Sequence, residues 1–79
     1  MEIREKIIES LTELHPEIDD FSEIRELVGG KILDSLDIVT LIADLSDKFE
    51  IEISPQEITY ENFDTLEGLV AMANRLLNN

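Results

Sequence analysis

A hydroxyl between two carboxylates is the feature of this chain most able to do chemistry: Asp34-Ser35-Leu36-Asp37 stands where a strongly amphipathic segment begins. Asp34 or Ser35 is a good helix N-cap, because a short side-chain oxygen can accept from a free backbone N–H of the first turn. Asp37 then sets negative charge against the positive end of the helix dipole. Ser35 is therefore expected, exposed, at a loop-to-helix junction, where it is either a simple cap or a site of modification.

Other chemistries fit the residues less well. The one histidine, His15, lies next to Pro16 at the end of an earlier helical stretch, far in sequence from Ser35, and nothing resembles a nucleophile elbow, so a Ser-His-Asp hydrolase is not expected. His15 is expected to be an exposed helix-end residue. The acids around Ser35 lack the alternating ligands, central glycine and terminal glutamate of a calcium loop, and no dedicated metal site is indicated. As acid and base partners they have no sign of the burial that would tune them. Phe21, Phe49 and Phe63 read as core, and Tyr60 points to no function.

The element that positions Ser35 is the helix it starts. Ile38, Leu41, Ile42, Leu45 and Phe49 recur at helical spacing and fall in one sector of roughly 100°, which must face a core. The opposite side gathers Leu36, Asp37, Thr40, Ala43, Asp44 and Asp47, an acidic surface with Leu36 and Ala43 as small apolar points, free to meet a partner. Upstream, Ile3, Ile7, Leu11 and Leu14, with Ile8 alongside, mark a first amphipathic helix that Pro16 ends. Residues 16 to 33 are too long for a simple bundle turn. Ile18, Phe21, Ile24 and Leu27 are expected to anchor this loop, with a brief helical turn around Ser22, Arg25 and Glu26 stopped at Gly29-Gly30.

Beyond Phe49, Ile51-Glu52-Ile53 alternates like a strand but has no partner strand, so an extended connector is expected. Ser54-Pro55-Gln56-Glu57 reads as a capping box that opens a short helix running to about Glu61. Asp64-Thr65-Leu66-Glu67 repeats the capping pattern. Leu66, Leu69, Val70, Ala73, Leu76 and Leu77 supply the stripe of a last helix, which frays in Asn78-Asn79. The expected fold is all-α: a small four-helix bundle of three longer helices and one short, with a long first loop, forming a single domain over residues 1–79.

On these residues the chain resembles the acyl and peptidyl carrier proteins. Asp34-Ser35-Leu36-Asp37, followed by the helix through Phe49, is similar to their phosphopantetheine attachment site, and the likeness extends over nearly the whole chain. Many fatty-acid carriers have a leucine-glycine pair shortly before the Asp-Ser; here Gly29 and Gly30 lie further upstream and Lys31-Ile32-Leu33 fills the gap. That arrangement is more similar to stand-alone carriers of aminoacyl or secondary-metabolite pathways. The resemblance implies that a separate phosphopantetheinyl transferase attaches 4′-phosphopantetheine from coenzyme A to Ser35. An acyl or aminoacyl group then rides on the terminal thiol, and the protein has no catalytic activity of its own. Asp34, Leu36 and Asp37 would flank the attachment point, and Thr40, Ala43, Asp44 and Asp47 would extend the surface read by partner enzymes. The reading from a different class is an unmodified acidic adaptor using the same helix.

Composition agrees with a carrier. Nineteen acids against six bases leave a formal charge of −13, which disfavours nucleic acid and anionic lipid and favours basic protein surfaces. Residues 34 to 67 hold ten acids and one base, Lys48, so −9 of that charge follows the serine. With no cysteine there is no disulfide and no thiolate site, and any thioester needs an imported thiol. No basic, then apolar, leader and no membrane-length apolar run is visible, so a cytoplasmic, monomeric protein is expected.

Overall fold

A computed structural model of the chain describes residues 3–78. Four α-helices follow one another: α1 (Ile3–Leu14), α2 (Ser35–Phe49), the short α3 (Tyr60–Phe63) and α4 (Leu66–Leu77). Single 3-10 turns lie at Phe21–Glu23 and Pro55–Glu57, and no strand occurs among the described residues. The helical bundle with a long first loop is thus present. Helix α1 packs against both α2 and α4, and α3 packs against α4.

Helical periodicity explains the core. Ile7 and Leu11 of α1, Leu41 and Leu45 of α2, and Leu66, Leu69, Met72 and Ala73 of α4 are fully buried. Ile38 and Ile42 are only half-buried at the flank of the α2 stripe. Glu50 ends α2 in the left-handed conformation (φ 54°), and its N–H and that of Ile51 both donate to the Ser46 carbonyl. The connector through Ile53 is extended, as its missing partner strand required.

The first loop is held by side chains. Phe21, Leu27 and Leu33 are buried, with Ile18, Ile24, Val28 and Ile32 packed beside them. The helical turn is shorter and earlier than expected: Asp20 caps it by accepting from the Ser22 N–H at 3.0 Å, and it closes by Glu23. The left-handed residue before α2 is Lys31 (φ 64°), not a glycine. Gly30 serves close approach instead, since a Cβ there would lie 2.7 Å from the Glu26 carbonyl oxygen.

The capping box at Ser54 is not formed. Ser54 makes no side-chain cap, and the segment is one 3-10 turn rather than a helix to Glu61. Glu57 does not reach back to the Ser54 backbone because its carboxylate pairs with Arg75 of α4 at 2.9 Å. Helix α3 begins instead behind Thr59, whose hydroxyl accepts from the Asn62 N–H. The cap of α4 lies one residue later than the Asp64…Glu67 pattern places it: Thr65 accepts from the Gly68 N–H at 2.9 Å. Asp64 does not cap α4: its N–H closes the end of α3 on the Tyr60 carbonyl, and its other groups tie down the first loop. Its carboxylate accepts from the Val28 and Gly29 N–H groups, both at 2.9 Å, and its carbonyl accepts from Leu27 N–H at 2.8 Å. One residue at the α3–α4 junction therefore holds the loop that delivers the chain to Ser35. Fraying was expected for Asn78-Asn79; Asn78 still donates to the Asn74 carbonyl, and Asn79 lies outside the described residues.

Candidate functional site

The start of α2 is built by Leu33 and Asp34. Leu33 is buried and its N–H donates to the Leu27 carbonyl at 2.8 Å, so the next residues turn outward. Asp34 is the N-cap: its backbone is extended and its Oδ1 accepts from the Asp37 N–H at 2.8 Å. Capping is thereby done by the aspartate. Ser35 is exposed in the first helical turn, and no hydrogen bond to its hydroxyl occurs among the described residues. Of the serines, Ser10 is buried and Ser22, Ser46 and Ser54 are half-buried, which leaves Ser35 as the exposed one.

The face beyond Ser35 divides in two. Leu36 (72 % exposed), Thr40, Ala43 and Asp47 are open to solvent as expected. Asp37 and Asp44 are not free: they sit half-buried on the flank that α1 covers. Ser10 donates to Asp44, Lys48 Nζ donates to Ser10 at 2.9 Å and to Glu9 at 3.0 Å, and the ammonium lies 3.5 Å from Asp44. Burial alone would lower the Lys48 pKa, but the bond to Glu9 and the charges of Asp44, Glu9 and Glu13 outweigh it and hold the pKa above 10.5. Ser10 has no periodic signature in the sequence, because a single serine in an apolar stripe carries none; its signal is its place on the same helical face as Ile7 and Leu11.

His15 corrects an expectation. It is not a free helix-end residue but is bracketed by two carboxylates, with Nε2 3.0 Å from Asp37 Oδ2 and Nδ1 3.0 Å from Glu17 Oε2. Desolvation pulls its pKa down, yet the hydrogen bonds to Asp37 and Glu17 win and raise it above 6.5. The end of α1 is thus pinned to the first turn of α2, two residues past Ser35. The three phenylalanines are core, as read.

On the other flank, Ile38, one turn after Ser35, borders an apolar cleft of about 170 Å³ with Val28, Ile58, Thr59, Tyr60 and Phe63. Val39 (63 % exposed), Ile58 (42 %) and Tyr60 (66 %) add to Leu36 an exposed apolar surface that the sequence pattern did not single out. Its signal is the Leu36–Val39 pair at helical spacing outside the core stripe. Among the described residues no cluster of His, Cys, Asp or Glu could hold a metal ion, and no helix is long and apolar enough to cross a membrane.

This combination, a capped helix with an exposed unbonded serine at its start on a small helical bundle, defines a carrier. The chain matches the phosphopantetheine attachment site family over residues 3–73 and belongs to that family. It is similar over 80 aligned residues, 99 % of each chain, to the D-alanyl carrier proteins of Streptococcus uberis (35 % identical), Streptococcus sanguinis (29 %) and Streptococcus gordonii (28 %). No solved structure matches at a significant level. The protein is accordingly a non-catalytic carrier whose prosthetic group is 4′-phosphopantetheine and which works with loading and processing enzymes.

Proposed function

We propose that Ser35 carries the phosphopantetheine and that the cargo is an aminoacyl group, D-alanyl in the first instance. One observation supports the residue above all: Ser35 is the exposed serine, and Asp34 has relieved it of capping. The positive end of α2 offsets the charge of a phosphodiester at this point. The bound group supplies a mobile arm and the thiol on which cargo is held as a thioester, in a chain without cysteine. Asp34, Leu36 and Asp37 frame the attachment point for the phosphopantetheinyl transferase. Thr40, Ala43, Asp44 and Asp47 continue the surface toward loading enzymes with basic docking faces. The D-alanyl assignment is supported by full-length similarity to D-alanyl carrier proteins. The carrier is cytoplasmic and monomeric in this reading, with residues 1–79 acting as one domain.

Incubation with coenzyme A, magnesium and a broad-specificity transferase should add one phosphopantetheine to the intact chain, and Ser35→Ala should abolish the addition. Modification at Ser10, Ser22, Ser46 or Ser54, or none at all, overturns the assignment. The holo chain, given D-alanine, ATP and a D-alanine-activating enzyme, should gain one hydroxylamine-labile alanyl group by intact mass. Loading with fatty acyl groups instead would reject the cargo.

A further inference from the structure

The segment that leads into Ser35 bonds mostly to itself. Within residues 26–33, the Gly30 N–H donates to the Glu26 carbonyl at 2.7 Å, the Lys31 N–H to Val28 at 3.0 Å and the Leu33 N–H to Leu27 at 2.8 Å. Among the described residues, the hydrogen bonds that leave this segment all end on Asp64. The Asp64 carbonyl takes the Leu27 N–H, and its carboxylate takes those of Val28 and Gly29. The segment is made of turns and holds Lys31 in the left-handed conformation (φ 64°), which a residue with a side chain keeps only where its surroundings fix it.

A short line of contacts runs from Asp64 to Ser35. Leu27, held by the Asp64 carbonyl, holds Leu33 in turn, and both leucines are buried. Leu33 precedes Asp34, whose carboxylate caps α2 on the Asp37 N–H, and Ser35 is the first residue of that helix. The seat of Leu33 therefore sets the direction in which cap and serine leave the core. Asp64 is itself fixed by its N–H, which donates to the Tyr60 carbonyl at 2.8 Å where α3 ends, and α3 packs on α4. The serine thus takes its position from the α3–α4 junction as well as from α2.

We propose that Asp64 is a positioning residue for the modification of Ser35: by fixing residues 27–29 it keeps Leu33 seated and holds the Asp34-Ser35 junction in the geometry that a phosphopantetheinyl transferase accepts. Asp64 acts through the loop, because its carboxylate is occupied by the two loop N–H groups, each at 2.9 Å. A transferase has to meet the hydroxyl and the first turn of α2 together. When the junction samples other positions, apparent affinity falls by the fraction of chains in the accepted one. That loss appears in KM, while kcat, a property of the assembled complex, is kept. The inference rests on Ser35 as the attachment residue and adds to it a residue from a different part of the fold.

The test measures transfer from coenzyme A to the full-length chain at varied carrier concentration for wild type, Asp64→Ala, Asp64→Asn and Thr65→Ala, at a temperature where circular dichroism shows all of them folded. Thr65→Ala is the comparator for stability, since it removes the α4 cap beside Asp64 and leaves the loop bonds in place. Asp64→Ala should raise KM roughly three- to tenfold with kcat within about twofold of wild type, and Asp64→Asn, which keeps an acceptor oxygen, should fall in between. Thr65→Ala should match wild type. Amide exchange on the unmodified chains is the second readout: in Asp64→Ala it should quicken at Leu33 and Asp37, and by more than at Leu45 in the middle of α2. An unchanged KM in Asp64→Ala, a loss carried by kcat, an equal loss in Thr65→Ala, or unchanged exchange at Leu33 and Asp37 would overturn the proposal. A wild-type chain that takes no phosphopantetheine on Ser35 would instead defeat the attachment assignment, and the exchange readout would still decide whether Asp64 holds the junction.

Discussion

His15 touches Asp37 through Nε2 and Glu17 through Nδ1, each at 3.0 Å, so one imidazole ring joins the end of α1 to the first turn of α2. A neutral imidazole has one N–H and can donate to only one of two carboxylates; the imidazolium serves both. The bracket is complete only when His15 is charged. Its folded pKa is raised above 6.5, so its contribution to stability is fully present below about that pH and is lost as pH rises through the raised value. The Glu17 carboxylate is lowered, first by its own backbone hydrogen bond and then by His15, and its share is lost only in acid, as pH falls through its depressed pKa.

Thermal melts of wild type and His15→Gln should therefore differ most near pH 6 and converge toward pH 9. As the sole histidine, His15 also reports its own titration by proton NMR. A midpoint at or below 6.5, or a melting difference that grows with pH, contradicts the bracket.

Asp64→Ala removes the acceptor of two loop N–H groups, and the loss of such bonds costs about 1–3 kcal/mol when a donor is left half-buried. For a chain of this size that lowers Tm by about 4–8 °C per kcal/mol. Asp64→Asn keeps one acceptor oxygen and should fall in between. Hydrogen exchange at Val28 and Gly29 should accelerate selectively in the alanine variant; uniform acceleration would show a general loss of stability instead.

Charge reversal separates docking from scaffold. Asp47→Lys, exposed and free of internal pairing among the described residues, should slow transfer of phosphopantetheine to Ser35 by roughly two- to fivefold at low salt, with the deficit shrinking as salt rises. Glu5→Lys should change the rate little. Glu9 is unsuitable as a reference because it holds Lys48, and Asp37→Lys would also break the His15 bracket. Equal rates for the Asp47 and Glu5 variants would assign the effect to global charge.

Glu50 adopts the left-handed conformation at the end of α2, which costs a side-chain-bearing residue about 1–2 kcal/mol and costs glycine little. Glu50→Gly also removes an acid from the negative end of the helix. Its Tm should rise by several degrees; a fall would place Glu50 in an interaction more favourable than its backbone strain is costly.

What could be read from the residues follows from range. The α1, α2 and α4 stripes and the Pro16 stop are local patterns of one helix, and Asp34-Ser35 is a local junction; all were legible, and the cap of α4 was legible to within one residue. The capping box expected at Ser54 was overruled by a contact eighteen residues away, Glu57 with Arg75, and α3 took its cap from Thr59, which the sequence reading did not single out. His15 with Asp37 and Ser10 with Asp44 are pairings across 22 and 34 residues between helices, so no window of sequence contains them.

In topological terms the hydrogen bond from Val28 to Asp64, 36 positions apart, closes a noncovalent ring that includes all of α2. Closing such a ring early is entropically unfavourable, whereas α1 and α2 can first meet through His15 and Asp37, only 22 residues apart. The clasp should then form after the rate-limiting step of folding. Asp64→Ala should leave the folding rate nearly unchanged and speed unfolding, so the ring acts as a latch on the native state: it governs how often the loop before Ser35 lets go, not how fast the chain arrives.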